Sequence, residues 1–329
     1  MGRLMGRLLA LTALAAALSQ AIGTAAAQEA YPRRTVHLIL PYGAASATDI
    51  AARLFADRLS KLWGKPVVVE NRPGGDGIVS LNAVRTAGDD HTLWMGPAGA
   101  INVLPYQHDT LPFDVKRDFV PLVSIVNVAL AISTASAMKI DTIDELIKAI
   151  RAKPGKLNAA AANGISEFLL FGFFKQKGLQ AAEVPYRDIM QAPNDLIGGR
   201  IQVLSTSLAV VQPLAQAGRI KVLLVTSGQR APSMPDVPTA TQAGYPDLTF
   251  NSLGGVFGPP SMPEKERESI AADFRKVASS DPVIGQRLGA TGQILTIQGP
   301  SEFAAGVAAQ RDKLAALAKI LGVKAATVQ

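Results

Sequence analysis

Cysteine is absent from the 329 residues, which excludes a disulfide framework and any zinc or iron–sulfur site built on thiolates. Histidine is almost as scarce. His37, His91 and His108 are scattered and lack the spacing of a metal site, so the sequence gives a zinc enzyme no support. Beyond residue 28 no stretch approaches 18 uninterrupted apolar residues, and a membrane-spanning helix is not expected there. Runs of lysine or arginine are missing, as is any interleaving of basic and aromatic residues. The net charge of +7, from 33 basic and 26 acidic residues, therefore suits a solvated surface that favours small anions and gives no nucleic-acid footprint.

What is present reads as a globular chain. Hydrophobic residues make up 48% and charged residues 18%, with 29 Gly and 21 Pro to make tight connections. The length suits two domains better than one. The first 27 residues stand apart: Arg3 and Arg7 precede an apolar stretch from Leu8 to about Leu18, and Ala25-Ala26-Ala27 closes the segment. This is the form of a secretory signal cleaved after Ala27. A membrane anchor is the alternative, but the apolar stretch is short and Ser19, Gln20 and Gly23 interrupt it. Removal of the segment takes away two arginines and leaves residues 28–329 as an exported protein.

Strand-like and helix-like segments then alternate. Val36–Leu40, Pro66–Glu70 and Thr92–Met95 are short apolar runs of the kind that form buried parallel strands. Between the first two, Ala51, Phe55, Leu59 and Leu62 recur at helical spacing, behind Ser46-Ala47-Thr48-Asp49, which has the form of a capping box. A right-handed β-α-β unit follows. Thr142 and Glu145 cap a helix with Ile143, Leu146, Ile147 and Ile150 on one face. Another helix runs from about Ser166 to Lys177, and strands at 201–204 and 221–225 flank a helix over 208–217. Towards the C-terminus, Pro263 opens a helix carrying Ile270, Phe274 and Val277, and Ser301 caps a last one carrying Phe303, Val307, Leu314 and Leu317.

Two apolar stretches, Val120–Ile132 and Leu248–Phe257, are placed to pass between lobes. Two crossings make the first domain discontinuous: residues 28–126 and 253–329 form one domain and 127–252 the other. The fold class expected is α/β, two lobes joined by a double hinge with a cleft between them, where α/β proteins bind ligands.

Catalytic motifs are weak. Ser136-Ala137-Met138-Lys139 has S-x-x-K spacing without S-D-N or K-T-G, and Gly164-Ile165-Ser166 lacks the closing glycine of a nucleophile elbow. Pro73-Gly74-Gly75-Asp76-Gly77 lacks the Gly-Lys-Ser/Thr of a phosphate loop and reads first as a turn feeding a helix near Ile78.

Longer segments carry a resemblance. Pro41-Tyr42 with Thr48-Asp49-Ile50-Ala51-Ala52-Arg53-Leu54, then Val67–Gly74, then Asp90–Leu93, Lys153–Asn158, Val184-Pro185-Tyr186-Arg187, Asp195–Ile201, Val225-Thr226-Ser227 with Arg230, and Pro235–Thr239 follow in order along residues 31–322. The chain resembles the periplasmic receptors of tripartite tricarboxylate transporters, the Bug-type solute-binding proteins. The resemblance implies a type II periplasmic-binding-protein fold that grips a small carboxylate without cofactor or turnover and delivers it to integral-membrane transporter subunits. A monomer is expected.

By the same resemblance the carboxylate sits on amides opening the first helix, an arrangement that helix-end physics supports because unsatisfied N–H groups and the positive end of the dipole converge there. The positions implied are Tyr42, Gly43, Ala45, Ser46, Thr48 and Asp49 on the first loop, Gly96 and Ala98 after the third strand, Asn163, Gly164 and Ser166 at a facing helix start, Tyr186, and Ser205 and Thr206 after a later strand. Ala45-Ser46-Ala47 stands where the family usually has glycines, so the loop path or its amide directions are expected to differ. Asp188 stands where the family usually has Gly, and Gln202 and Thr206 where it commonly has Asp, which favours a plain carboxylate over an amino acid. Two other readings are a ligand receptor for a sensor kinase and a secreted serine hydrolase using Ser136 and Lys139.

Overall fold

The computed structural model describes residues 31–162, 164–186 and 189–328. Residues 1–27, read above as a signal segment, and Asn163, Arg187 and Asp188 lie outside the described residues.

In chain order the chain forms β1 (Val36–Leu40), α1 (Ala47–Trp63), β2 (Val67–Asn71), α2 (Ile78–Ala87), β3 (Thr92–Pro97), α3 (Ala98–Gln107) and the short β4 (Thr110–Leu111). Next come β5 (Val120–Val128), β6 (Leu130–Ala135), α4 (Ile143–Ala152), β7 (Asn158–Ala161), α5 (Ile165–Gln176), β8 (Ala182–Glu183), α6 (Ala192–Ile197), β9 (Val203–Ser207), α7 (Leu208–Gln216) and β10 (Ile220–Val225). The last part holds β11 (Ser252–Gly258), α8 (Glu264–Ser280), α9 (Pro282–Ala290), β12 (Gln293–Gln298), α10 (Pro300–Leu321) and β13 (Thr327–Val328), which pairs with β4.

The strands make two main sheets, ordered β12-β5-β11-β3-β1-β2 and β10-β6-β9-β7-β8. In the first, β1, β2 and β3 run parallel while β11 and β12 run antiparallel to β5. In the second, β7, β8 and β9 run parallel and β6 is antiparallel to β9 and β10. The chain leaves the first sheet at Ala129, between β5 and β6, and returns ahead of β11. The first apolar stretch thus splits at one residue. The second behaves differently: Leu248 ends a 3-10 turn and packs in the second sheet's core, and the strand starts only at Ser252.

Side-chain alternation along β1 explains why both faces of the first sheet are covered. Val36, Leu38 and Leu40 point into a core built with Phe55, Leu59, Phe274 and Leu288, whereas Ile39 points the other way into a core with Trp94, Phe257 and Phe303. Around the second sheet, α4 and α5 cover one face with Ile143, Leu146 and Phe173, and α6 and α7 cover the other with Leu196, Leu208 and Val211. A further cluster joins Val103 of α3, Phe168 and Leu169 of α5, and Leu314 and Leu317 of α10. The last helix therefore spans both lobes. Gly172 makes room for it, since a β-carbon there would lie 2.6 Å from Leu317 Cδ2.

Helix starts depart from the sequence reading in two places. The final helix is opened by Gly299 and Pro300, not capped by Ser301, and Pro263 sits one residue ahead of its helix. Helix α3 went unread because its residues are apolar nearly all round and Pro105 lies inside it, which blurs any stripe.

Candidate functional site

The parallel strands β1, β2, β3, β7 and β9 all end at one cleft of about 650 Å³ between the sheets. Its first side is formed by Pro41 and Tyr42 after β1, the Gly74–Gly77 turn after β2, and Pro97, Gly99 and Ala100 after β3. Ala162, Gly164, Ile165 and Ser166 after β7, and Thr206, Ser207 and Val210 around the end of β9, form the opposite side. Val128, Leu130 and Ser252, which flank the two crossings, also border it.

Four helices begin here. Their N-caps are Gly77 for α2, Pro97 for α3, Gly164 for α5 and Ser207 for α7, and none makes a side-chain cap hydrogen bond. The unsatisfied first-turn amides of such helices are donors for an anion, reinforced by the positive end of each dipole. The first amides of α2 and α7 are already engaged, since Ile78 N donates to Gly75 O and Leu208 N to Ala129 O at 2.8 Å, so those helices offer only the amides that follow. Among the described lining residues there is no lysine or arginine.

Helix α1 is built otherwise. Ser46 is its N-cap and its hydroxyl accepts from Asp49 N at 3.2 Å. The reciprocal half of the box is displaced by one residue, because Asp49 Oδ2 accepts from Ala45 N at 2.9 Å. Ala45 adopts φ 64, so alanine here does take the left-handed conformation that a glycine would take freely, at a cost of about 1–2 kcal/mol. Asp49 is buried and also accepts from Arg53 Nε and Asn71 Nδ2. Burial opposes its ionisation, but the bonds from Arg53, Asn71 and the Ala45 amide outweigh burial and hold its carboxyl below the ordinary value. The loop expected to receive the ligand's carboxylate thus holds the protein's own.

The other positions fall into three groups. Tyr42, Gly164, Ser166 and Thr206 line the cleft. Thr48 and Gly96 border a separate small cavity with Met95, Val126 and Gln293, while Ala98 is fully buried and Gly43 is exposed. Ser205 is buried, and the Tyr186 hydroxyl donates to Asp195 Oδ2 at 2.8 Å. Burial first, and then that bond, push the Tyr186 hydroxyl up to about 12. Ser136 and Lys139 lie in a turn at the end of β6 away from cleft-lining Leu130, with Lys139 exposed.

Several lining residues escaped the sequence reading. Gln107, at the end of α3, was missed with its helix, and Val210 and Ser252 carry no local signal. Asp76 was visible, but as part of a turn.

A two-sheet cleft that gathers helix starts is suited to holding a small anionic solute. Residues 51–313 match the family described as the tripartite tricarboxylate transporter family receptor, and the chain belongs to that family of periplasmic solute-binding proteins. Protein BugT of Bordetella pertussis is 27% identical over 328 residues, covering 97% of this chain and 99% of BugT. A UPF0065 protein of Bordetella bronchiseptica is 30% identical over 281 residues, covering 85% of this chain and 83% of its own. Among solved structures, an R. palustris protein with adipate has a TM-score of 0.74 at 26% identity, covering 89% of this chain and 99% of that one. A TctC solute-binding protein from Polaromonas has the same fold, with a TM-score of 0.77 at 22% identity and coverages of 88% and 99%.

Proposed function

We propose that the protein captures a small carboxylate in the periplasm and presents it to integral-membrane transporter subunits, acting as a monomer, without cofactor and without chemical turnover. The observation that carries this reading is the set of uncapped helix starts facing one cleft. Ser166, Thr206 and Ser207 add hydroxyl donors on the side formed by the second sheet. Family membership and a relative solved with adipate point to the same ligand class.

The lobes that move are taken as residues 28–126 with 253–329, and 127–252. Ligand prefers the closed arrangement because only there do donors from both lobes reach it, so binding shifts the population and the membrane subunits read closure. Four to six charge-assisted hydrogen bonds of about 1.5–3 kcal/mol each reach micromolar affinity, about −8 kcal/mol, once ordering costs are subtracted. Export by the segment ending at Ala27 supplies the location.

A thermal-shift panel of carboxylates tests the reading. A true ligand at 100 times its dissociation constant stabilises by about 2.7 kcal/mol, and it is recovered unchanged after long incubation. A panel without any shift, or conversion of the ligand that stops in Ser136→Ala, would refute it.

A further inference from the structure

The turn before α2 places a single carboxylate in the cleft. Asp76 is the only charged side chain among the described residues that line it. Its backbone has φ 55, ψ 24, between Gly75 and Gly77, which also have positive φ. A left-handed conformation costs a residue other than glycine about 1–2 kcal/mol. The turn does not need the carboxylate to close, since Gly77 N bonds Gly74 O at 3.1 Å through the backbone alone. His108 Nε2 lies 3.1 Å from Asp76 Oδ2, yet the Asp76 side chain remains 55% exposed.

The opposite wall carries Ser166, Thr206 and the amides of α5 and α7, and Val128 and Leu130 lie among the cleft's apolar lining. On Asp76's own side α2 and α3 also start at the cleft, but Ile78 N, the first amide of α2, already donates to Gly75 O, and the Asp76 carboxylate is the one full charge there. A ligand seated by its carboxylate on the opposite wall therefore has an apolar body and directs its other end towards Asp76. A second carboxylate at that end meets a like charge, whereas a donor there is accepted.

We propose that Asp76 makes this cleft select carboxylates whose far end carries a hydrogen-bond donor, an ammonium or a hydroxyl, over dicarboxylates of the same length. This inference rests on the carboxylate reading above and reverses the preference for a plain carboxylate drawn from the sequence.

The test is calorimetric titration of the full mature chain with matched straight-chain acids of about four to eight carbons, bearing a second carboxylate, an amine or a hydroxyl at the far end. At the best length, the amine or hydroxyl form binds wild type at least about tenfold more tightly than the dicarboxylate, the size of a charge-assisted hydrogen bond. In Asp76→Asn, which keeps the shape and tolerates the left-handed backbone, the ratio falls to near unity and the dicarboxylate binds more tightly than to wild type. In His108→Gln the preference persists. Equal or tighter binding of the dicarboxylate to wild type overturns the inference alone. An unchanged ratio in Asp76→Asn does so too, as does loss of the preference in His108→Gln, which would assign the effect to the ion pair. If no acid of any kind binds, the carboxylate reading falls and the inference with it.

Discussion

Ile165 Cδ1 stands 1.7 Å from the point where a β-carbon on residue 99 would lie. The starts of α3 and α5, one from each lobe, therefore meet through a hole that only glycine leaves. On another side a β-carbon on Gly292 would lie 2.9 Å from Ala209 N, so the lobes touch there as well.

Gly99→Ala is expected to penalise the arrangement in which the two helix starts touch, by about 1–3 kcal/mol. If closure accompanies binding, ligand affinity falls about tenfold or more while the melting temperature of the empty protein changes little. A large fall in that temperature would show that the contact persists without ligand.

Asp49 gives an acid-side prediction. Its carboxyl is held below the ordinary value of 3.8, so its contribution to stability is present above that value and is lost as pH falls through the depressed folded value. Asp49→Asn should cost about 1–3 kcal/mol near neutral pH by disturbing the bonds from Arg53 and Ala45. The difference in melting temperature between variant and wild type should shrink as the solution is acidified below 3.8. A gap independent of pH would mean that ionisation of Asp49 does not stabilise the fold.

Tyr186 gives the alkaline counterpart. Its hydroxyl is raised from 10.0 to about 12, so its contribution is complete below 10.0 and declines as pH rises through about 12. Tyr186→Phe should lower the melting temperature at neutral pH, with the gap closing at high pH, and leave carboxylate affinity unchanged. Weakened binding in this variant would place the hydroxyl on the ligand.

Ser46 and Thr206 separate two roles for a hydroxyl. Ser46→Ala removes the cap of α1 and should destabilise the protein by about 1 kcal/mol, with affinity unaltered. Thr206→Val keeps the shape of a buried residue that borders the cleft, and should weaken ligand binding with little change in melting temperature. Paired thermal melts and titrations distinguish the outcomes, and an interchange of the two phenotypes would contradict the site described.

Much of the scaffold was legible locally. The capping box of Thr142 and Glu145 forms in full ahead of α4, and the five-residue run Val36–Leu40 forms β1 as read. In both cases the bonding partners lie within a few residues or the apolar pattern is short and unbroken. Helix α3 and the segment of α9 and β12 were not read, because their apolar residues serve contacts distant in sequence, Ile101 and Leu104 in a core with Phe303 and Val307, and Ile284 and Leu288 in one with Phe55 and Phe274.

The site was legible by segment more than by residue. Ser166 comes shortly after β7 and Thr206 lies near the end of β9, two neighbouring parallel strands whose ends face the cleft. Whether the Ala45 amide faces outwards or back to Asp49 depends on a φ that composition does not reveal.

The amino-acid order by itself determined the α/β alternation and the family, because strand runs, caps and turn residues act over short spans and repeat in a recognisable succession. Only the tertiary structure decided that Asp49 is consumed within its own loop while Asp76 faces the cleft. Both are acids beside a turn, and what separates them is the set of donors that packing brings up: Arg53, Asn71 and an amide around the first, and open cleft with one histidine beside the second.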